Sequence, residues 1–137
     1  MSGLGGRRWW VLAAILGLGV PACAGGSASG LRLLVIDLPY QRVWDAALRA
    51  VAEYGVTRAG DGVIETGRVE RAARPDESGL ERVAERLTVR VQPVADRVTR
   101  VTVEVQAEGL RGGRWEPLPG DGPTAAAVLA RIRAAES

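Results

Sequence analysis

The stretch ERVAERLTVRVQPVADRVTRVTVEVQAEG, residues 81–109, decides the fold because apolar and polar residues alternate over two consecutive segments. The apolar positions of residues 81–94 and 97–109 are Val83, Leu87, Val89, Val91, Val101, Val103 and Val105, and the polar ones include Arg86, Thr88, Arg90, Gln92, Thr102, Glu104 and Gln106. Side chains alternate between the two faces of a strand. The pattern therefore predicts two antiparallel strands, joined at residues 95–97, with one buried face and one solvated face.

The residues before this stretch predict a strand, a helix and a hairpin. The run LRLLVID (31–37) is almost continuously apolar, which is typical of a strand in a central position of a sheet. QRVWDAALRAVAEYG (41–55) repeats apolar residues at helical spacing, and Gly55 is suited to end that helix. In residues 56–67, Gly60-Asp61-Gly62 separates two short strands as a tight turn does.

The residues after it predict a loop and a second helix. GLRGGRWEPLPGDG (109–122) is rich in Gly and Pro, so we expect a long connection that contains Trp115. PTAAAVLARIRAA (123–135) has an apolar stripe and begins with a proline, as helices often do. The predicted order β-α-β-β-β-β-α indicates a two-layer α+β domain with an antiparallel sheet and both helices on one face.

The N-terminus has the pattern of an export signal. MSGLGGRR is basic, and the 14 residues of WWVLAAILGLGVPA that follow are apolar or small except for one proline. A helix that spans a bilayer needs about 20 apolar residues, whereas the apolar region of a signal peptide is shorter.

Val20-Pro21-Ala22-Cys23 resembles the lipobox of bacterial lipoproteins. The resemblance implies cleavage between Ala22 and Cys23 and acylation of Cys23. Because Ala24 follows the cysteine, it also implies sorting to the periplasmic face of the outer membrane. The chain then divides into a signal peptide (1–22), a lipidated cysteine with a flexible Gly/Ala/Ser tether (23–30) and one α+β domain (31–137). An ordinary secretory signal and an uncleaved anchor are the alternatives.

A second resemblance concerns the folded part. YQRVWDAALRAVAEYG (40–55) and GVIETG (62–67) resemble the helix-grip module of the C-component lipoprotein of the outer-membrane β-barrel assembly machinery. They are also similar to small uncharacterised bacterial lipoproteins with one such module. The resemblance implies a helix-grip-like fold.

Composition argues against several function classes. All 18 basic residues are arginine, and loss of Arg7 and Arg8 with the signal would leave 16 arginines against 16 acids, so nothing indicates nucleic-acid binding. The sequence contains no histidine, which excludes Ser–His or Cys–His catalysis and histidine metal sites. Glu65 and Glu104 are candidates for an acid–base pair, but the pattern favours solvated strand-face charges. We expect neither an enzyme nor a cofactor.

Two functional hypotheses remain. The first is an accessory or scaffolding lipoprotein that binds another envelope protein through the polar sheet face or the 109–122 segment, with Trp115 as an aromatic contact. Alternatively, Trp115 folds back over the sheet or a helix, as large aromatics usually do. The second hypothesis is a small carrier that holds an apolar ligand or lipid between helix 41–54 and the sheet.

Overall fold

A computed structural model describes residues 30–135, so the predicted signal, Ala22 and Cys23 lie outside the described part. The strands are β1 (Gly30–Ile36), β2 (Val56–Gly60), β3 (Val63–Thr66), β4 (Val69–Ala72), β5 (Arg82–Ala95), β6 (Val98–Arg111) and β7 (Arg114–Leu118). The α-helices are α1 (Tyr40–Val51) and α2 (Gly122–Ala134), and a short 3-10 helix (Ala52–Tyr54) follows α1. Gly55 ends that turn in the left-handed conformation, as predicted.

The centre of the sheet is the predicted antiparallel pair. β5 and β6 have 14 residues each and pair from Arg82 opposite Leu110 to Ala95 opposite Val98. Most apolar positions of both strands point to the side that carries the helices, and most polar positions point to solvent. We call these two sides the inner face and the outer face.

The remaining strands flank this pair in an antiparallel sheet. β1 and β7 pair with successive parts of β6, while β3 and β4 pair with successive parts of β5, and β2 pairs with β3. The break between β3 and β4 falls at Gly67, where the Leu87 N–H donates to Thr66 Oγ1 at 2.9 Å. A side-chain hydroxyl thus replaces the missing backbone partner where the ladder is interrupted.

The predicted connection at residues 109–122 is wrong, because half of this segment belongs to the sheet. β6 continues to Arg111, Gly112 and Gly113 turn the chain with positive φ, and β7 pairs back along β6. Two adjacent residues with positive φ form the tight hairpin turn that glycines favour. Pro117 is tolerated because β7 is an edge strand. Together with β4, which follows the break at Gly67, β7 gives the sheet seven strands and not the five predicted.

The predicted central position of residues 31–37 is also wrong, because β1 is an edge strand. Its apolar run was misleading: three of its aliphatic side chains point to the outer face. The strand also begins one residue earlier than expected. A Cβ on Gly30 would lie 2.5 Å from the Val105 carbonyl oxygen and 2.6 Å from the Asp121 nitrogen, so Gly30 belongs to the folded domain and not to the tether.

Both helices cover the inner face and enclose one core. Its members are all aliphatic, and they are Ile36, Val43, Ala46, Ala47, Ala50, Val51, Ile64, Leu87, Val89, Val91, Val101, Val103, Val105, Ala125, Val128, Leu129 and Ile132. Trp44, Leu48 and Tyr54 pack against its rim. The protein thus has the two-layer α+β fold that the sequence predicts, with an open antiparallel sheet.

Two leucines on opposite faces provide a test of this arrangement. Leu87→Ala removes a side chain that is 0% exposed, so the free energy of unfolding should fall by about 2–5 kcal/mol. Leu33→Ala changes a side chain that is 57% exposed and should cost less than about 1 kcal/mol. Urea unfolding followed by circular dichroism measures both values. Equal losses would contradict the assignment of the two faces.

Candidate functional site

The outer face of the sheet is the candidate interaction surface. In the described part of the chain both helices lie on the inner face, and no other segment covers the outer one. The register places polar and charged side chains there from the central strands, namely Arg82, Arg86, Thr88, Arg90, Gln92, Arg100, Thr102, Glu104, Gln106 and Glu108. A sheet face of this size without a helical layer is open to a partner.

Trp115 lies on this face, and not in a loop as the sequence suggested. It sits on β7 opposite Leu110, and 37% of its surface is exposed. The guanidinium carbon of Arg68 lies 4.2 Å from the centre of the ring. This distance is that of a cation–π contact, which holds the indole against the sheet while leaving it accessible.

Ion pairs hold Arg68 in this position. Its Nη1 donates to Glu70 Oε1 at 3.0 Å, and its Nε donates to Glu108 Oε2 at 3.4 Å. Glu70 also accepts from Arg82 Nε at 3.1 Å. We call this group of five residues the Trp115 patch. Exposed ion pairs contribute little to stability one at a time, but here they restrict the arginine that stacks on the aromatic ring.

Glu65 and Glu104 stand on the outer face with one strand between them. Both are opposite Thr88, so the whole width of β5 separates them, which is about 10 Å for two strand spacings. Glu65 lies 3.8 Å from Arg58, whereas Glu104 has no ion pair among the described residues. Both are charges on the outer face.

The edge strand β1 adds an apolar stripe to the outer face. Leu31, Leu33 and Val35 are 47%, 57% and 49% exposed. They stand opposite Glu104, Thr102 and Arg100 of β6, on one side of the strand. Single exposed aliphatic residues are ordinary, but three successive ones on the same face form a continuous row.

A buried polar cluster lies on the inner side, at the start of α2. It consists of Arg71 on β4, Arg74 and Glu77 in the following loop, Glu85 on β5, and Asp121 and Thr124 at the start of α2. Arg71 contacts three carboxylates: Glu85 through Nε at 3.0 Å, Glu77 through Nη1 at 2.7 Å and Asp121 through Nη2 at 2.7 Å.

The cluster joins the helix to the sheet. Asp121 caps α2, because its Oδ1 accepts from the Thr124 N–H at 3.0 Å and from Arg74 Nη1 at 2.9 Å. Thr124 Oγ1 donates to Glu85 Oε1 at 3.1 Å. Every buried side-chain polar atom in the described residues has a hydrogen-bond partner. The cluster is therefore a satisfied structural network, which is the condition for stable buried charge.

The two buried carboxyls have opposite pKa shifts. Burial, together with the neighbouring Asp121, raises the pKa of Glu85 to about 7, although Arg71 opposes the shift. Burial alone would also raise the pKa of Asp121. However, hydrogen bonds from Glu85, Arg74, the Thr124 N–H and Arg71 lower it well below its ordinary range. Glu85 thus holds a proton beside an ionised Asp121 under mildly acidic conditions.

Sequence reasoning missed this cluster, although one signal was present. Glu85 occupies an inner-face position of β5, between Val83 and Leu87, and it is only 3% exposed. An acid at an apolar position of a regular alternation demands a buried cationic partner. The identity of that partner could not be read, because Arg71 lies 14 residues away on another strand.

Grooves occur on both sides of the described sheet, and we call the one with the largest volume the rim groove. The largest, with a volume of about 390 Å³, is lined by Glu53, Tyr54, Val69, Arg71, Arg74, Glu85, Pro123, Thr124 and Ala127. Between α1 and the sheet, Val43, Ala47 and Val51 are buried against Ile64, Leu87 and Val89. Small aliphatic side chains thus fill the centre of this interface, and a groove of about 180 Å³ lies beside α1, lined in part by Ile36, Ala46 and Ile132.

Residues 30–135 contain no group of three potential His, Cys, Asp or Glu ligands placed to hold a metal ion. No helix in this range has both the length and the apolar character that a membrane crossing requires.

Comparisons with known proteins give distant structural neighbours only. No family model matches the sequence, and no curated protein matches it. A TBP-like protein from Parabacteroides distasonis is 10% identical, with 80% of this chain and 86% of that chain covered and a TM-score of 0.43. The di-domain ARO/CYC StfQ from the steffimycin biosynthetic pathway is 11% identical, with 77% and 42% covered and a TM-score of 0.37. At these scores neither similarity supports a functional argument.

The shift at Glu85 predicts how stability depends on pH. Between about pH 4.5 and pH 7 the folded state keeps a proton on Glu85 that the unfolded state releases, so the free energy of unfolding falls as pH rises, by at most roughly 3 kcal/mol. Asp121 has the opposite effect on the free energy of unfolding. Because its pKa is lowered in the folded state, its protonation at low pH destabilises the fold. Urea unfolding at a series of pH values measures the slope.

Glu85→Gln should flatten this slope between pH 4.5 and 7, because an amide of the same shape has no proton to lose. Glu104→Gln, on the exposed outer face, is the matched control and should keep the slope of the original protein. The assignment fails if Glu85→Gln leaves the slope unchanged.

Proposed function

We propose that this protein is a lipid-anchored envelope protein that acts by binding a protein partner and not by catalysis. In this proposal a lipid on Cys23 holds it at the periplasmic face of the outer membrane, and the outer sheet face meets the partner. The observation that carries the proposal is the Trp115 patch on an uncovered sheet face. Tryptophan and arginine are the residues most enriched at the centres of protein interfaces.

The anchor is supported by the sequence alone. The only cysteine of the chain stands at the end of the apolar segment, in the lipobox-like Val20-Pro21-Ala22-Cys23. One acyl chain binds a membrane weakly and reversibly, whereas two or more hold a protein firmly. The three chains implied by the resemblance would be a stable anchor. Relationship to the C component of the assembly machinery stays a prediction.

Non-catalytic action is supported by the chemistry of the described surfaces. Glu65 and Glu104 are held apart on the outer face, and the buried carboxyls of Glu85 and Asp121 are engaged by arginines. Arginines and Thr124 hold these carboxyls in a hydrogen-bonded network, which supports a structural role for them.

The alternative function is a small carrier for an apolar ligand or lipid. The rim groove of about 390 Å³ has the size of a small-molecule site. Its lining combines the apolar Tyr54, Val69, Pro123 and Ala127 with the charged Arg71, Arg74 and Glu85, so it suits a ligand with a polar group better than a purely apolar one. Native mass spectrometry of protein isolated from its own membranes separates the two functions: a retained lipid or small molecule, without a protein partner, would favour the carrier.

The anchor gives a direct prediction. Radiolabelled or alkyne-labelled palmitate should enter the original protein in growing cells and should be absent from Cys23→Ser. Ser27→Ala, in the adjacent segment, serves as the control and should label normally. Equal labelling of the original protein and Cys23→Ser would overturn the lipid anchor.

The partner contact is tested by photocrosslinking in intact cells. A photoreactive residue at Gln106 on the outer face should give a discrete protein adduct, while one at Arg49 on α1 should give none. Trp115→Ala should reduce the adduct by about tenfold or more, since truncation of an interface tryptophan typically costs about 2 kcal/mol or more. Trp115→Phe should retain part of it.

Stability measurements distinguish a variant that has lost the partner contact from one that no longer folds. Trp115→Ala should unfold at nearly the same urea concentration as the original protein, because Trp115 lies on an edge strand outside the core. Trp44→Ala, which removes a tryptophan packed against the core, should lower the free energy of unfolding by about 3 kcal/mol. An adduct unaffected by Trp115→Ala would contradict the proposed contact.

A further inference from the structure

We propose that the apolar stripe Leu31, Leu33 and Val35 rests on the surface of the bilayer to which Cys23 is attached. This inference rests on the proposed lipid anchor. It assigns the β1 edge to a phospholipid surface with anionic headgroups, and it gives the domain a defined orientation on the membrane.

The distance along the chain places the stripe close to the membrane. Gly30, the first residue of β1, is seven residues after Cys23 in the sequence. Because one residue spans at most about 3.6 Å, Gly30 lies within about 25 Å of the acylated cysteine in any conformation. Leu31 follows at once, so the stripe is the first apolar surface of the domain that the anchor brings to the bilayer.

The geometry of β1 suits contact with a flat surface. The three side chains are spaced two residues apart, so the row is about 13 Å long for four residues of strand. They project from an edge strand, and no described segment covers them.

The charges beside the stripe favour anionic headgroups. Arg100 stands opposite Val35, and Arg90 is one strand further, opposite Thr102. Neither arginine forms an ion pair with another described residue, unlike Arg58, Arg68 and Arg82 on the same face. Glu104 lies opposite Leu31, so the two arginines without ion pairs stand toward the Val35 end, where Asp37 follows the strand. Arginine near an anionic leaflet is attracted to it.

The Trp115 patch lies further along the same edge of β6 than the apolar stripe. Leu33 is opposite Thr102 and Trp115 is opposite Leu110, so eight residues of β6 separate the two levels, which is about 26 Å. The stripe and the Trp115 patch are therefore separate surfaces of the outer face, and the bilayer and a partner would contact different parts of that face.

The test uses the lipidated protein reconstituted in vesicles of phosphatidylethanolamine and phosphatidylglycerol, roughly three to one. Acylation blocks the only native thiol, so Leu33→Cys supplies a single site for a fluorophore. Lipids brominated on their acyl chains should quench this probe by roughly half, as expected for side chains in the interfacial region. A probe at Arg49→Cys, on α1, should remain unquenched.

Leu31→Ser combined with Val35→Ser should abolish quenching at position 33, although the protein still floats with the vesicles. Arg100→Gln should reduce quenching on vesicles with phosphatidylglycerol and have no effect on vesicles without it.

The two proposals fail in different ways. A protein whose mass shows no lipid on Cys23 overturns both the anchor and the docking. A lipidated protein that floats with vesicles, but whose probe at position 33 is quenched no more than the probe at position 49, overturns the docking alone. Crosslinking of position 33 to another protein or to a second copy, without lipid quenching, also overturns it.

Discussion

The rest of the structure depends on the pairing of β5 with β6. These two strands of 14 residues form the one long ladder in the described chain, and the β1, β3, β4 and β7 strands all pair with it. Their shared alternation separates the domain into a helix-covered side and a solvent side, because successive side chains point in opposite directions. A slip of β5 by one residue would place Val89 in water and Arg90 under the helices, while Val103 of β6 stayed on the inner face. The core, the Trp115 patch and the apolar stripe therefore all follow from one register.

Glu85 interrupts this alternation, because it is a charged residue at an inner-face position. Residues from several distant segments form its hydrogen bonds. An acid on the inner face needs compensation, which comes from Arg71 on β4 and from Thr124 at the start of α2. Asp121 then shares Arg71 with Glu85 and caps the helix. The hydrogen bonds around Glu85 thus connect β4, the loop that follows it and the N-terminus of α2. Buried networks of this kind stabilise only when every member is satisfied, as it is here.

The outer face has two features that suit different neighbours. At one end, ion pairs hold Arg68 over Trp115, which presents a restrained aromatic surface of the kind that proteins bind. At the β1 edge, aliphatic side chains lie next to arginines without ion pairs, and a short chain segment leads from them to Cys23. An anchored domain with these two surfaces would meet the membrane along one edge and a partner with the other end of the same face.

The sequence by itself determined the fold class, the β5–β6 hairpin, the turn at Gly60–Gly62, both helices and the likeness of Cys23 to a lipidation site. Each of these depends on neighbouring residues, whose periodicity, turn chemistry or motif can be read directly. The place of β1 at the edge, the origin of β7 from a segment rich in Gly and Pro, and the partners of Glu85 were decided only by the tertiary structure. An apolar strand has the same sequence pattern at the centre and at the edge of a sheet, since its exposure depends on which strands lie beside it. Arg71 contacts Glu85 because β4 pairs with β5, and the sequence around either residue does not indicate that pairing.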